Sequence, residues 1–238
     1  MKKFLVANWK SNKNYQGVEQ WLTDFIAFFN KADQTAEYQK KLAKTEFILA
    51  VPYPFLILVK EAIKASNLAF KLSLQDISPF PAGSYTGAVS VANLEGLNIS
   101  YTIVGHSERR KYFKESHQDV AKKIELALEN KITPILCLDE AYIEEQASAL
   151  KEKLWKNCLF AYEPLSAIGS GNNADLAKVE EVSSQIKKVY GDVKVIYGGS
   201  VDQFNVAEYL LITDGVLVGG ASLEAKSFFE IFNKGIQA

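Results

Sequence analysis

Five short stretches of the chain carry side chains suited to moving protons or holding an anion. Asn8-Trp9-Lys10 closes the first apolar run, and a lysine there would aim its ammonium past the run's end. Gly105-His106-Ser107-Glu108-Arg109-Arg110 places an imidazole, a carboxylate and two guanidiniums directly after another run, a denser ionisable set than a turn requires. If His106 opens a helical turn, the positive end of the helix dipole disfavours imidazolium. The ring then stays neutral and able to donate a hydrogen bond to a carbonyl oxygen. Ala161-Tyr162-Glu163 ends a third run before Pro164 and the small-residue loop Leu165-Ser166-Ala167-Ile168-Gly169-Ser170-Gly171. A carboxylate so placed has the makings of a base under a lid, with Pro164 stiffening the near hinge and Gly169 and Gly171 supplying backbone freedom. Tyr197-Gly198-Gly199-Ser200 and Val218-Gly219-Gly220-Ala221-Ser222 put paired glycines after two further runs, where backbone N–H groups can approach an anion with no Cβ in the way. Singly, each stretch has a plainer reading: a surface lysine, a structural histidine, an ordinary loop, turn glycines.

The elements that would position these groups recur along the whole sequence. Apolar runs span Phe4–Trp9, Phe47–Pro52, Lys71–Gln75, Thr102–Gly105, Thr133–Leu138, Leu159–Glu163, Lys194–Tyr197 and Gly215–Gly219. Their continuous rather than alternating apolarity suits parallel strands covered on both faces. Between them, Val18, Trp21, Leu22, Phe25, Ile26 and Phe29 form a helical stripe, as do Val120, Ile124, Ala127 and Leu128, and Val179, Val182, Ile186 and Val189. Strand and helix alternate about eight times with no linker or composition shift, which predicts an α/β fold, a single-domain (β/α)8 barrel over residues 1–238. A doubly wound sheet is the competing architecture, but no GxGxxG follows the first strand. In such barrels the chemistry sits at the C-terminal strand ends, and the loops after the last two strands often hold a phosphate.

Composition narrows the function classes. The 238 residues are 48% hydrophobic and 23% charged with a net charge of -1, an ordinary balance without the basic footprint of a nucleic-acid binder. Cys137 and Cys158 form no CxxC pair and His106 and His117 stand at no ligand spacing with them, so neither a zinc site nor a disulfide framework is expected. The apolar stretch after Met1-Lys2-Lys3 is too short for a signal segment and no run reaches membrane-spanning length. A soluble cytoplasmic protein without membrane contact is expected.

Together these segments, in order and at their spacing from Asn8 to Ser222, resemble the triosephosphate isomerase family. The resemblance implies interconversion of dihydroxyacetone phosphate and glyceraldehyde 3-phosphate through an enediolate, with no cofactor and no metal. That family is a standard worked example of a carboxylate base paired with a neutral imidazole. By resemblance, Glu163 is the base, and His106 polarises the carbonyl and moves protons between the two oxygens. Lys10 stabilises negative charge with Asn8 beside it, and Glu108 holds Lys10. Gly169, Ser200, Gly219 and Gly220 offer N–H groups to the phosphate. The long loop from Gln75-Asp76-Ile77 to Gly83-Ser84-Tyr85-Thr86-Gly87 resembles the segment that inserts into a partner subunit, placing Tyr85 and Thr86 at an interface. A homodimer is expected on that basis, with a small triose phosphate as the other partner.

The chain departs from the family pattern at several points. Ser166 stands where a hinge tryptophan is usual, Ser170 and Asn172 replace a threonine and a lysine, and Asp139 occupies a glycine position after the fifth strand. The changes at Ser166 and Asp139 invite reading as a compensating pair. Ala88 follows Thr86-Gly87 where a glutamate is common, which removes the usual intersubunit partner of an arginine, here Arg109. A synthase or epimerase acting on another sugar phosphate would use the same glycines, and a non-enzymatic barrel would have lost Lys10, His106 or Glu163; all three are present. Among the remaining residues, His117 is expected to be solvated, Cys137 and Cys158 to pack in the core, and Arg110 to form an ion pair with Glu115.

Overall fold

The computed structural model of the chain describes residues 2–32, 35–66, 68–164 and 173–237. Strands β1 (Lys3–Asn8), β2 (Thr45–Val51), β3 (Phe70–Leu74), β4 (Tyr101–Val104), β5 (Thr133–Leu138), β6 (Leu159–Tyr162), β7 (Lys194–Tyr197) and β8 (Gly215–Val218) close into a parallel barrel in sequence order. Closure is carried by β1, which pairs with β2 from Lys3↔Thr45 to Asn8↔Ala50 and with β8 from Phe4↔Gly215 to Ala7↔Val218. A Cβ at Gly215 would stand 2.1 Å from the Phe4 carbonyl oxygen, so this seam tolerates no larger residue. The predicted α/β barrel is the fold observed, and each strand lies within two residues of its predicted limits.

Ten helices surround the strands among the described residues: α1 (Tyr15–Lys31), α2 (Ala36–Leu42), α3 (Leu56–Ser66), α4 (Ser107–Phe113), α5 (His117–Glu129), α6 (Ile143–Ala149), α7 (Glu152–Trp155), α8 (Leu176–Tyr190), α9 (Val206–Ile212) and α10 (Ala225–Gln237). Their stripes face inward as the periodicity requires. Val18, Trp21, Leu22 and Phe25 of α1 are buried, as are Val120, Ile124 and Ala127 of α5 and Val179, Val182 and Ile186 of α8.

Two cores result. Inside the barrel, Val6, Ile48, Ile103, Ile135, Cys137, Ala161, Ile196 and Leu217 fill the cylinder, so its axis is packed rather than open. Outside it, an aromatic cluster seals β1 to β3 beneath α1 and α10: Trp21 stacks on Phe25 at 4.9 Å, and Phe47 meets Phe232 at 3.9 Å. This rigid frame leaves the polar strand ends facing one mouth.

Candidate active site

His106 follows β4 and caps α4. The turn into it needs Gly105 at φ 68°, where a Cβ would also meet Arg110 Nη2 at 2.8 Å. The Glu108 N–H donates to His106 Nδ1 at 3.2 Å. An accepting Nδ1 carries no proton, which assigns the neutral ring with its proton on Nε2. That Nε2 lies 3.1 Å from Glu163 Oε1. The approach is too far off the bond axis to count as a hydrogen bond, so Oε1 is buried without a hydrogen-bond partner. The other oxygen, Oε2, accepts the Ser107 N–H at 3.0 Å. Glu163 itself follows β6, its N–H donating to the Leu138 carbonyl at 2.8 Å, and it is 1% exposed while His106 is 5% exposed. A carboxylate and an uncharged imidazole thus face each other in a dry setting, one oxygen of the acid left to be satisfied by something else.

Lys10 enters from β1. Its backbone is left-handed at φ 50°, an uncommon conformation for a residue with a Cβ. Three contacts hold it there: Asn8 Oδ1 accepts the Lys10 N–H at 3.0 Å, Gln75 Nε2 donates to the Lys10 carbonyl at 3.0 Å, and the ammonium donates to Glu108 Oε1 at 2.7 Å. Glu108 therefore offers its amide to the imidazole and its carboxylate to the lysine.

Lys10 and His106 border a cavity of about 310 Å³ whose far wall is the two glycine loops, Gly198 to Asp202 and Gly219 to Ala221, with Asn173 at its edge. Nothing lies within 4 Å of where a Cβ would stand on Gly220, so a ligand can come up against that peptide. Ser222 is fully buried and ties the last loop down. Its Oγ donates to the Gly219 carbonyl at 2.7 Å, and its own carbonyl accepts the Trp21 indole N–H at 3.0 Å. A second cavity of about 330 Å³ opens on the other side of Lys10 and His106, bounded by Gln75, Asp76, Arg109 and Phe113.

The structure thus brings Asn8, Lys10, His106, Glu108, Glu163, Ser200, Gly219 and Gly220 to one mouth of the barrel. Pro164 is buried beside Glu163. The lid positions Leu165, Ser166, Ala167, Ile168, Gly169, Ser170 and Gly171, together with Asn172, lie outside the described residues, and so does the pairing of Ser166 with Asp139. Asp139 accepts the Ala141 N–H at 3.1 Å and so starts the turn after β5. Tyr85 and Thr86 are exposed on the long loop, Tyr85 stacked on Phe80 with ring centroids 4.6 Å apart.

Two expectations are corrected. Arg110 does not pair with Glu115: its Nε donates to the Gly105 carbonyl and its Nη2 to Gln146 Oε1, both at 2.9 Å. Glu115 is taken instead by Arg109 at 3.4 Å and by Lys123. His117 is half-buried rather than free in solvent: its Nε2 meets the exposed Glu145 at 3.0 Å and its Nδ1 lies 3.1 Å from Gln146. Arg109 also pairs with Asp76 at 2.9 Å. Gln75, the Ser107 amide and Asp202 were not among the predicted site residues. A glutamine at a strand end is the only one of the three that leaves a usable mark in a sequence. Both cysteines are buried, as expected. Burial and then the Glu163 carboxylate push the Cys137 thiol well up, and burial lifts Cys158 to about 12.

A family model described as triosephosphate isomerase matches residues 3–235. The chain belongs to the triosephosphate isomerase family. Relatives named triosephosphate isomerase include one from Mesomycoplasma hyorhinis, 33% identical with 97% of each chain covered, and one from Dictyoglomus thermophilum, 32% identical with 97% and 98% covered. Another, from Clostridium tetani, is 37% identical over 81% of this chain and 85% of its own. Membership makes the chain an isomerase. Among the described residues no helix is long and apolar enough to cross a membrane, and no group of three or more His, Cys, Asp or Glu is arranged to hold a metal ion.

Proposed function

We propose that this member of the triosephosphate isomerase family interconverts dihydroxyacetone phosphate and D-glyceraldehyde 3-phosphate by proton transfer through an enediolate. The observation that carries the reading is the facing pair of Glu163 and neutral His106, 3.1 Å apart, with His106 and Lys10 both lining the glycine-walled cavity. Glu163 takes the carbon-bound proton next to the carbonyl and returns it to the neighbouring carbon. To do so its carboxylate leaves the Ser107 amide and turns into the cavity. Charge then builds on the carbonyl oxygen, where the His106 Nε2–H and the Lys10 ammonium stand as fixed donors. His106 also exchanges protons between the two oxygens, which completes the isomerisation without net loss or gain. Asn8 sets the Lys10 backbone and Glu108 its ammonium. The N–H groups of Ser200, Gly219 and Gly220 grip the phosphate, joined by Gly169 from the lid that Pro164 begins. Exclusion of water by that lid strengthens the base and protects the enediolate. The residues do this chemistry with side chains and amides alone.

The same reading takes residues 1–238 as one catalytic domain and the protein as a cytoplasmic homodimer. Support for the dimer comes from the exposed Phe80–Tyr85 stack on a long loop, beside Thr86, together with the second cavity at Arg109 and Phe113. Sedimentation that finds only monomer at micromolar concentration contradicts it.

The experiment is a coupled assay on glyceraldehyde 3-phosphate with Glu163→Gln beside the wild type. A base of this kind contributes roughly 10²–10⁴-fold, so turnover should fall by that factor in the variant. No turnover in the wild type, or equal turnover in both, rejects the mechanism.

A further inference from the structure

Immediately after the glycine loop of β7, Asp202 and Asn205 bond each other reciprocally. Asp202 Oδ1 accepts the N–H of Phe204 at 2.8 Å and of Asn205 at 3.1 Å, while Asn205 Oδ1 accepts the Asp202 N–H at 2.9 Å. This reciprocal pairing has the form of a capping box, but it closes the turn ahead of α9, whose own N-cap is Asn205. Acceptance of the Asp202 N–H needs only an oxygen at position 205, and the usual residue there is an acid or glutamine. Asn205 carries an amide, and its Nδ2 is used: it donates back to the Ser200 carbonyl at 3.3 Å. Asn205 is 7% exposed, and the segment it spans, Ser200 to Asp202, forms one wall of the 310 Å³ cavity.

We infer that Asn205 is a positioning residue for anion binding: it holds the Ser200 carbonyl, in the peptide that follows Ser200, and so limits the backbone rotation at Ser200 that aims the preceding N–H at a phosphate. The inference rests on the proposed reading, in which Ser200 binds the substrate phosphate. Neither Gly198 nor Gly199 anchors the chain through a Cβ, so the turn is fixed from its far side, by the buried Val201 and by Asn205. A single buried amide bridging the Ser200 carbonyl and the Asp202 N–H fixes both ends of that turn. An aspartate at 205 would preserve the capping box and forfeit the donor to Ser200.

The test uses the full-length protein with inorganic phosphate as the probe, its dissociation constant measured by titration calorimetry for wild type, Asn205→Asp and Asn205→Ala. KM and kcat for glyceraldehyde 3-phosphate are measured alongside. Asn205→Ala removes the donor without adding charge, so an effect common to both variants belongs to the lost hydrogen bond. Both should bind phosphate about fivefold to tenfold more weakly, the scale of one such bond. KM should rise by a similar factor while kcat stays within about twofold, because a phosphate contact made alike in ground and transition states acts on KM. A purely structural role would instead lower the folded fraction, and with it kcat and the titration amplitude, leaving the phosphate constant and KM in place. Equal phosphate constants in wild type and variants overturn the clamp, whereas a wild type without turnover overturns the isomerase reading.

Discussion

Gln75, at the end of β3, donates its side-chain amide to the Lys10 carbonyl at 3.0 Å and to the Ala50 carbonyl at 3.2 Å. It thereby joins three neighbouring strand ends and holds a lysine in a left-handed backbone conformation that costs on the order of 1 kcal/mol or more for a residue with a Cβ. The ammonium on that lysine is aimed by this peptide. Gln75→Ala should let the peptide relax and lower kcat/KM about 10–100-fold, the usual cost of misplacing a charged group by an ångström. Stability should fall by about 1–2 kcal/mol from the carbonyls left behind. Steady-state kinetics with a thermal melt checks both; kcat/KM within twofold of wild type would show that Lys10 holds its pose unaided.

The glycine loops separate the needs of the fold from those of the ligand. A Cβ at Gly220 meets nothing within 4 Å, so Gly220→Ala should leave the melting temperature unchanged or slightly raised. Its methyl group would project where the anion is proposed to sit, and KM should climb about tenfold. At Gly198 a Cβ would stand 3.0 Å from Glu163 Cγ and 3.2 Å from the Tyr162 carbonyl. Gly198→Ala should therefore displace the base and lower kcat. The pair of kinetic splits decides the matter, and the same split in both variants would refute the assignment.

Much of this arrangement is legible in the letters, for stated reasons. The limits of β5 and β7 coincide with the apolar runs Thr133–Leu138 and Lys194–Tyr197 because both end sharply in polar or glycine residues. Lys10, His106 and Glu163 stand out because a charged or titratable residue at the end of a buried strand has to face the mouth. What stays hidden is whatever depends on backbone amides or on distant pairing. The Ser107 N–H that holds Glu163 belongs to no particular residue type. His117 and Gln146 are 29 residues apart, and Arg110 and Gln146 are 36 apart, so only the packing of α4, α5 and α6 brings them together. Likewise the helical stripe of α5 picks out Val120, Ile124 and Ala127 but gives no reason to bury Lys123 among them.

The thiols give a pH-dependent readout. Burial holds Cys158 near 12, and burial with the Glu163 charge holds Cys137 well above its ordinary value. Only thiolate reacts with a disulfide reagent, so the native chain should stay unlabelled at pH 8 and both cysteines should label in guanidinium. The linkage has a definite sign. Above about pH 8.5 the unfolded chain gives up thiol protons that the native chain keeps, so stability falls as pH rises through that alkaline window. Labelling of either cysteine within minutes under native conditions would contradict this burial.

Lys123 carries the sharpest stability prediction. Its side chain is 3% exposed, yet it pairs with Asp76 at 2.6 Å and with Glu115, while Arg109 reaches the same two acids at 2.9 and 3.4 Å. Two cations thus serve two carboxylates, and Glu115 Oε2 already lacks a partner. The net worth of such a buried quartet is small because desolvation offsets attraction, but removal of one member strands a charge in the interior. Lys123→Met should therefore cost about 3–5 kcal/mol, or roughly 10 °C in melting temperature for a chain of this length. Adding Asp76→Asn to Lys123→Met removes a stranded carboxylate and should restore part of the loss, a coupling of about 1 kcal/mol or more in the double-mutant cycle. If the single variant melts within about 1 °C of wild type, Arg109 alone neutralises both acids and Lys123 is dispensable.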